Sequence, residues 1–184
     1  MKRSLPLWVV LSCSLAPYPA AYGEPVAEES VEAGAMTRSL QPGVILTFKN
    51  VKSGRCLGVN HASTANGALL KQFTCDNAPN QRWRVERRGI EHTFVNVKSG
   101  KCIGVDGASV KPGANLGQYN CGDAAPNQSW VLVSDTSDLV RNLRNVKSGL
   151  CIGVDRASTA NGAQLKQFAC NLTAPNQEWR LVLL

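Results

Sequence analysis

Cysteine is the residue type in this chain best placed to do chemistry, and its spacing is regular. Six of the seven cysteines fall into three pairs: Cys56 with Cys75, Cys102 with Cys121, and Cys151 with Cys170. Each pair is separated by 19 positions. Six thiols allow fifteen pairings. Equal spacing inside equal repeats selects the one in which each repeat closes its own loop. Such a loop stabilises a fold by about 3 kcal/mol in the chain-entropy model. Metal ligation is the competing chemistry, but zinc sites show CxxC clusters and nearby histidines, and neither occurs here. Catalytic chemistry finds no convergent set. His61 and His92 each stand alone, and no Gly-x-Ser-x-Gly, phosphate loop or HExxH is present. A glycosidase needs two facing carboxylates. Asp106 and Asp155 occupy equivalent places in different repeats, so symmetry keeps them apart. A non-catalytic protein without cofactor or metal is expected.

The elements that hold these cysteines repeat three times, which is the pattern to seek before any local assignment. Asn50-Val51-Lys52-Ser53-Gly54 returns as Asn96-Val97-Lys98-Ser99-Gly100 and as Asn145-Val146-Lys147-Ser148-Gly149. Each unit then runs through Cys-Leu/Ile-Gly-Val and Gln-Phe/Tyr-x-Cys, and closes on Pro-Asn-Gln-x-Trp at Trp83, Trp130 and Trp179. Short β-rich pieces such as Ile45 to Val51, Thr93 to Val97 and Trp130 to Val133 alternate with Ser-Gly and Asn-Gly breaks. Helical periodicity is absent. The prediction is an all-β domain with threefold pseudosymmetry over residues 43–184, in repeats of about 43–89, 90–136 and 137–184. A closed barrel leaves no open sheet edge and needs no capping repeats, so it is preferred to a solenoid.

Residues 1–23 are expected to be a secretory signal. Lys2 and Arg3 precede an apolar run from Leu5 to about Ala16, and small residues Ala21 and Gly23 precede the expected cleavage. Export places the protein outside the cell, where disulfides persist. Two narrower readings compete: a buried N-terminal helix, which Pro17 and Pro19 would end early, and a lipoprotein anchor at Cys13. In the signal reading Cys13 leaves with the leader, which accounts for the odd thiol. Residues 24–42 hold Glu24, Glu28, Glu29 and Glu32 without a sustained apolar period. They are expected to form a flexible acidic linker, with one short helix as the alternative. The chain carries a net charge of +7. Three of its 20 cations and four of its 13 acids precede Gly43, so the domain itself carries +8. No apolar run reaches the roughly 18 residues of a membrane span.

Three Gln-x-Trp units in register, each with a paired cysteine loop, resemble the ricin B-type lectin domain. The resemblance covers roughly Gly43 to Leu184 and implies a β-trefoil with one disulfide per repeat. It is similar in particular to bacterial members that are appended to secreted glycosidases. The implied activity is carbohydrate binding in a shallow pocket, one per repeat at most. In that family an aspartate two residues after the first cysteine, an aromatic two before the second, and the Asn of Asn-Gln-x-Trp hold the sugar. An aromatic face takes the apolar face of a sugar ring, and fixed amides and carboxylates take its hydroxyls. The aromatic maps onto Phe73, Tyr119 and Phe168, and the amide onto Asn80, Asn127 and Asn176. Gln81, Gln128 and Gln177 are expected to brace the pockets from behind, and the three tryptophans to lie in the core.

The chain departs from the family at one place. Gly58, Gly104 and Gly153 stand where the aspartate belongs. Two residues on lie Asn60, Asp106 and Asp155. Asp106 and Asp155 either take over the role from a shifted loop or cap the turn after Val105 and Val154. Repeats two and three keep an acid, an aromatic and an amide, and so rank above repeat one. Lys52, Lys98, Lys147, Lys71 and Lys166 could face an anionic sugar or simply be solvated. Arg82, Arg84, Arg87 and Arg88 form the densest basic cluster, but nucleic-acid binding adds aromatic stacking to such charge, so no nucleic-acid partner is expected. Asn171-Leu172-Thr173 is a glycosylation sequon. The expected function is multivalent glycan recognition. The alternatives are a trefoil inhibitor of a secreted hydrolase, with Ser134 to Arg141 as its loop, and a glycan-targeting subunit of a separate toxin or enzyme.

Overall fold

The computed structural model describes residues 41–133 and 140–184. The expected signal, residues 24–40 of the expected linker, and residues 134–139 of the loop proposed for an inhibitor lie outside the described residues. Strands come in three runs of four. The first is β1 (Ile45–Asn50), β2 (Cys56–Val59), β3 (Leu70–Phe73) and β4 (Trp83–Arg88). The second is β5 (Glu91–Asn96), β6 (Cys102–Val105), β7 (Leu116–Tyr119) and β8 (Trp130–Val133). The third is β9 (Val140–Asn145), β10 (Cys151–Val154), β11 (Leu165–Phe168) and β12 (Trp179–Leu183).

Pairing closes six of these strands into a ring. β1 pairs with β4, β4 with β5, β5 with β8, β8 with β9, β9 with β12, and β12 returns to β1. The other six form three hairpins, β2–β3, β6–β7 and β10–β11. Isolated bridges between Leu69 and Gly117, Lys71 and Gln164, and Asn115 and Lys166 join the hairpins to one another. This is the β-trefoil, and it leaves the barrel strands no unpaired edge.

The core follows from the repeat. Trp83, Trp130 and Trp179 are fully buried, with Phe48, Phe94 and Leu143 in the barrel and Leu57, Ile103 and Ile152 from the hairpins. A buried indole N–H needs an acceptor. Each one donates to the carbonyl after the first cysteine of its own repeat: Leu57 at 3.3 Å, Ile103 at 3.2 Å and Ile152 at 3.2 Å. The three disulfides link Cys56–Cys75, Cys102–Cys121 and Cys151–Cys170, as the spacing predicts.

Gln72, Gln118 and Gln167 tie repeat to repeat. Gln72 donates from its side chain to the Ser158 and Ala160 carbonyls, Gln118 to those of Ser63 and Ala65, and Gln167 to those of Ser109 and Lys111. Each Nε2 thereby holds the Ala-Asn-Gly or Lys-Pro-Gly turn of another repeat against its own hairpin. Symmetry fails at one barrel position. Leu46, His92 and Arg141 each pair with a tryptophan, Trp83, Trp130 and Trp179 in turn. His92 is buried, and among the described residues neither of its ring nitrogens makes a well-aligned hydrogen bond. Burial first, and then the charge of Arg87, lower its pKa from 6.5.

Candidate functional site

Each hairpin carries the same local device between its two strands. After β2, β6 and β10 the chain makes a short 3-10 turn over Asn60–Ala62, Asp106–Ala108 and Asp155–Ala157. The middle residue has a positive φ in all three: 53° at His61, 57° at Gly107 and 52° at Arg156. Only repeat two has glycine there, the residue that adopts this backbone without strain. The turn places Asn60 in one cleft lining with Phe73, Asp106 against the Tyr119 hydroxyl, and Asp155 against Lys166.

The glycines at the family's aspartate position have a steric cause. A β-carbon on Gly58 would sit 3.0 Å from Gln81 Cγ and 3.2 Å from Phe73 Cδ2. On Gly104 it would meet Tyr119 Cδ2 at 2.9 Å, and on Gly153 it would meet Phe168 Cδ2 and Gln177 Cγ at 3.0 Å. The aromatic ring therefore lies directly on the strand backbone where the aspartate would project. The missing carboxylate and the placement of the platform are one feature.

The glutamines behind this layer are buried and doubly bonded. Gln81 donates to the Thr74 carbonyl and accepts from the Asp76 N–H. Gln128 does the same with Asn120 and Gly122, and Gln177 with Ala169 and Asn171. Each clasps the backbone on both sides of the second cysteine, and so fixes the segment that bears the aromatic. Asn80 Nδ2 donates to the Val59 carbonyl at 3.3 Å, and Asn176 Nδ2 to that of Val154 at 3.5 Å. Their Oδ1 atoms remain as acceptors. Asn127 is half-buried, and its carbonyl accepts from Val105 N–H and from Asn145 Nδ2.

The two acids already have partners. Tyr119 donates its hydroxyl to Asp106 Oδ1 at 2.9 Å. Burial, and after it the bond and charge of Asp106, push the phenol pKa well above its usual value, so the group stays a donor. Lys166 Nζ lies 3.0 Å from Asp155 Oδ2, both side chains about a quarter exposed. The sequence carries this exchange in a form that was overlooked. Repeats one and three read Leu-Lys-Gln-Phe, and repeat two reads Leu-Gly-Gln-Tyr. A β-carbon on Gly117 would lie 3.0 Å from the Tyr119 hydroxyl oxygen. Removing the lysine side chain leaves room for the phenol, and either group then supplies a donor to the acid.

Repeat one differs. Asn60 replaces the acid, and a cleft of about 370 Å³ opens among Asn60, His61, Phe73, Asp76, Asn80 and Asn161. Asn161 belongs to repeat three. Its Oδ1 accepts from the Thr74 N–H at 2.8 Å. Asn66 of repeat one makes the equivalent bond to the Asn120 N–H of repeat two at 2.7 Å. The Ala-Asn-Gly turns containing these residues were visible in the sequence, but their reach into a neighbouring repeat was not.

The remaining basic residues are dispersed. Lys52, Lys98 and Lys147 are exposed at their turns. Arg84 pairs with Glu86 and Arg88 with Asp123, while Arg82 and Arg87 donate to the carbonyls of Asn77 and Gly89. Among the described residues no helix is long and apolar enough to cross a membrane.

Known proteins share this arrangement. ThreeFoil, a designed 3-fold symmetric protein, is 35% identical with a TM-score of 0.72, over 76% of this chain and 99% of its own. An exo-β-1,3-galactanase from Clostridium thermocellum is 30% identical with a TM-score of 0.72, over 77% of this chain but 30% of its own. The ricin B-like lectin of Macrolepiota procera, solved in complex with lactose, is 16% identical with a TM-score of 0.67, over 77% and 96% of the two chains. At that identity the likeness is one of fold. No curated protein sequence matches the chain. The family model of the ricin-type beta-trefoil lectin domain matches residues 45–179, and with the barrel and the three hairpins in place, the chain belongs to that family.

Proposed function

We propose that this protein is an exported, non-catalytic lectin that holds glycans in the clefts beside Phe73, Tyr119 and Phe168. The observation that supports this reading best is cleft one. There the Phe73 ring and the Asn80 amide line one open space of about 370 Å³, and among the described residues no donor bonds Asn80 Oδ1. A sugar ring has an apolar face for Phe73 and hydroxyls for the amides. Asn60, His61 and Asp76 border the same space and add polar contacts. In repeats two and three the acids act on the platform and its neighbour: Asp106 orients the Tyr119 ring and Asp155 fixes Lys166. Each acid keeps one carboxylate oxygen for a hydroxyl.

Single shallow sites of this kind bind weakly. Repetition on one rigid body raises avidity when the sites engage one polymer or surface together. Delivery of an enzyme made as a separate chain is a second use of the same chemistry. It is favoured by the likeness to part of a galactanase. A glycan array with the full chain, followed by calorimetric titration of the best binder, tests the reading. Binding that falls in Phe73→Ala, Tyr119→Ala and Phe168→Ala supports it. An array with no glycan above background sinks it.

A further inference from the structure

The hairpins of repeats one and two share a second feature, at the seam with a neighbouring repeat, that repeat three lacks. Beside Phe73, Arg55 donates Nη1 to Thr74 Oγ1 at 2.9 Å and Nε to the Thr159 carbonyl at 2.8 Å. The same Nη1 lies 3.4 Å from Asn161 Oδ1. Beside Tyr119, Lys101 Nζ donates to Asn120 Oδ1 at 2.8 Å, and Asn66 Oδ1 accepts from the Asn120 N–H. The matching positions of repeat three hold Leu150, Ala169 and Pro112. All three polar members are replaced together, and none of the replacements has a side-chain polar atom.

We propose that these two seams are subsites for an acidic sugar residue, adjoining the sugar held on Phe73 or Tyr119. The inference rests on the reading of the clefts as carbohydrate sites and extends it. Arg55 and Lys101 bond only neutral oxygens, and among the described residues neither has a carboxylate within 4.0 Å. Their charge is uncompensated. Donors remain at both seams: Arg55 Nη2, two N–H of Lys101, and the Nδ2 groups of Asn161 and Asn66, whose Oδ1 atoms are the bonded ends. A carboxylate accepts from such groups, and a guanidinium takes it in a planar fork. Asp76 in cleft one and Asp106 in cleft two are the nearby acids. Asp106 is engaged by Tyr119, and Asp76 Oδ1 accepts from the Ala78 N–H.

The test uses two probes that differ only in the carboxyl group: an oligogalacturonate and the same oligomer after carboxyl reduction. Titrated into the full chain at low salt, the acidic form is expected to bind about fivefold more tightly, the scale of an exposed charge pair. The preference should fade in high salt as charge is screened. In the double variant Arg55→Gln, Lys101→Gln the ratio should collapse to about one. Equal binding of the two probes overturns the proposal, and so does a preference that survives the double variant. If neither probe binds while an array scores other glycans, the acidic subsite fails and the lectin reading stands. An array without any binder fails both.

Discussion

Clefts one and three are built from nearly the same words and end up different. Both read Leu-Lys-Gln-Phe, both close on Pro-Asn-Gln-x-Trp, and both lay a phenylalanine on a glycine. In cleft three, Asp155 binds Lys166 within the repeat, and the seam is lined by Leu150, Ala169 and Pro112. In cleft one, Asn60 replaces the acid, and Arg55, Thr74 and Asn161 form a polar seam across two repeats. The signature motif therefore fixes the platform, while residues outside it decide what surrounds the platform. One carboxamide in place of a carboxylate removes the partner that an ion pair gives Lys166.

The largest expected effect on this contrast comes from restoring the family's aspartate. Gly58→Asp puts a β-carbon 3.0 Å from Gln81 Cγ, against a backbone clasp that cannot yield cheaply. Overpacking of this kind costs about 1–3 kcal/mol. The urea midpoint should fall, and calorimetry should show cleft one lost. A variant that binds more tightly at unchanged stability would break the link between glycine and platform. Next is Phe73→Ala against Phe168→Ala. The first should weaken glycan binding about tenfold, or 1.4 kcal/mol, and the second less, because cleft three has its acid occupied by lysine. Equal losses would show the clefts to be equivalent.

A smaller change is expected from Lys166→Met. It frees the second carboxylate oxygen of Asp155 for a sugar hydroxyl, and binding at cleft three should rise about threefold. The thermal midpoint should hardly move, because a part-exposed pair contributes only about 0.2–1 kcal/mol. Unchanged binding would mean that the pair does not set the contrast. The smallest effect on either cleft belongs to His92→Leu, at the barrel position that repeat one fills with Leu46. The folded state holds His92 with a lowered pKa, so the unfolded chain binds the proton more readily. Stability is then complete above the unfolded value of 6.5 and is lost as pH falls from there toward the folded pKa. Denaturation between pH 7 and pH 5 should show this loss in the parent and a reduced one in the leucine variant, with glycan binding the same in both.

The sequence made the fold legible because its information is local and repeated three times. Equal cysteine spacing, Gln-x-Trp and the Asn-Val-Lys-Ser-Gly turns each specify one contact that recurs. The placement of Phe73, Tyr119 and Phe168 over Gly58, Gly104 and Gly153 recurs for the same reason. The partners of Asp106 and Asp155 were not, because they depend on which side chain stands across a hairpin, at Gly117 or Lys166. Asn161 was harder still. It lies 87 positions from Thr74, and the hairpin bridges and the Gln72 side chain bring them together. Repeats two and three rank above repeat one on Asp106 and Asp155, whose bonds to Tyr119 and Lys166 do not show in the sequence.

The pairing of β1 with β12 has a further consequence. Leu46 lies opposite Leu183, and the Leu184 N–H donates to the Ile45 carbonyl at 3.1 Å, so the two ends of the domain meet on adjacent strands. The ring has no structural first repeat. A short bridge from Leu184 to Gly43, with a new opening at Gly89 in the exposed turn between β4 and β5, would leave every barrel partner and all three disulfides in place. The order in which the ribosome writes the three repeats is thus separable from the shape they make. Cargo could be fused at the joined ends or at the Gly89 turn, and the junction chosen would decide which repeat stands beside it.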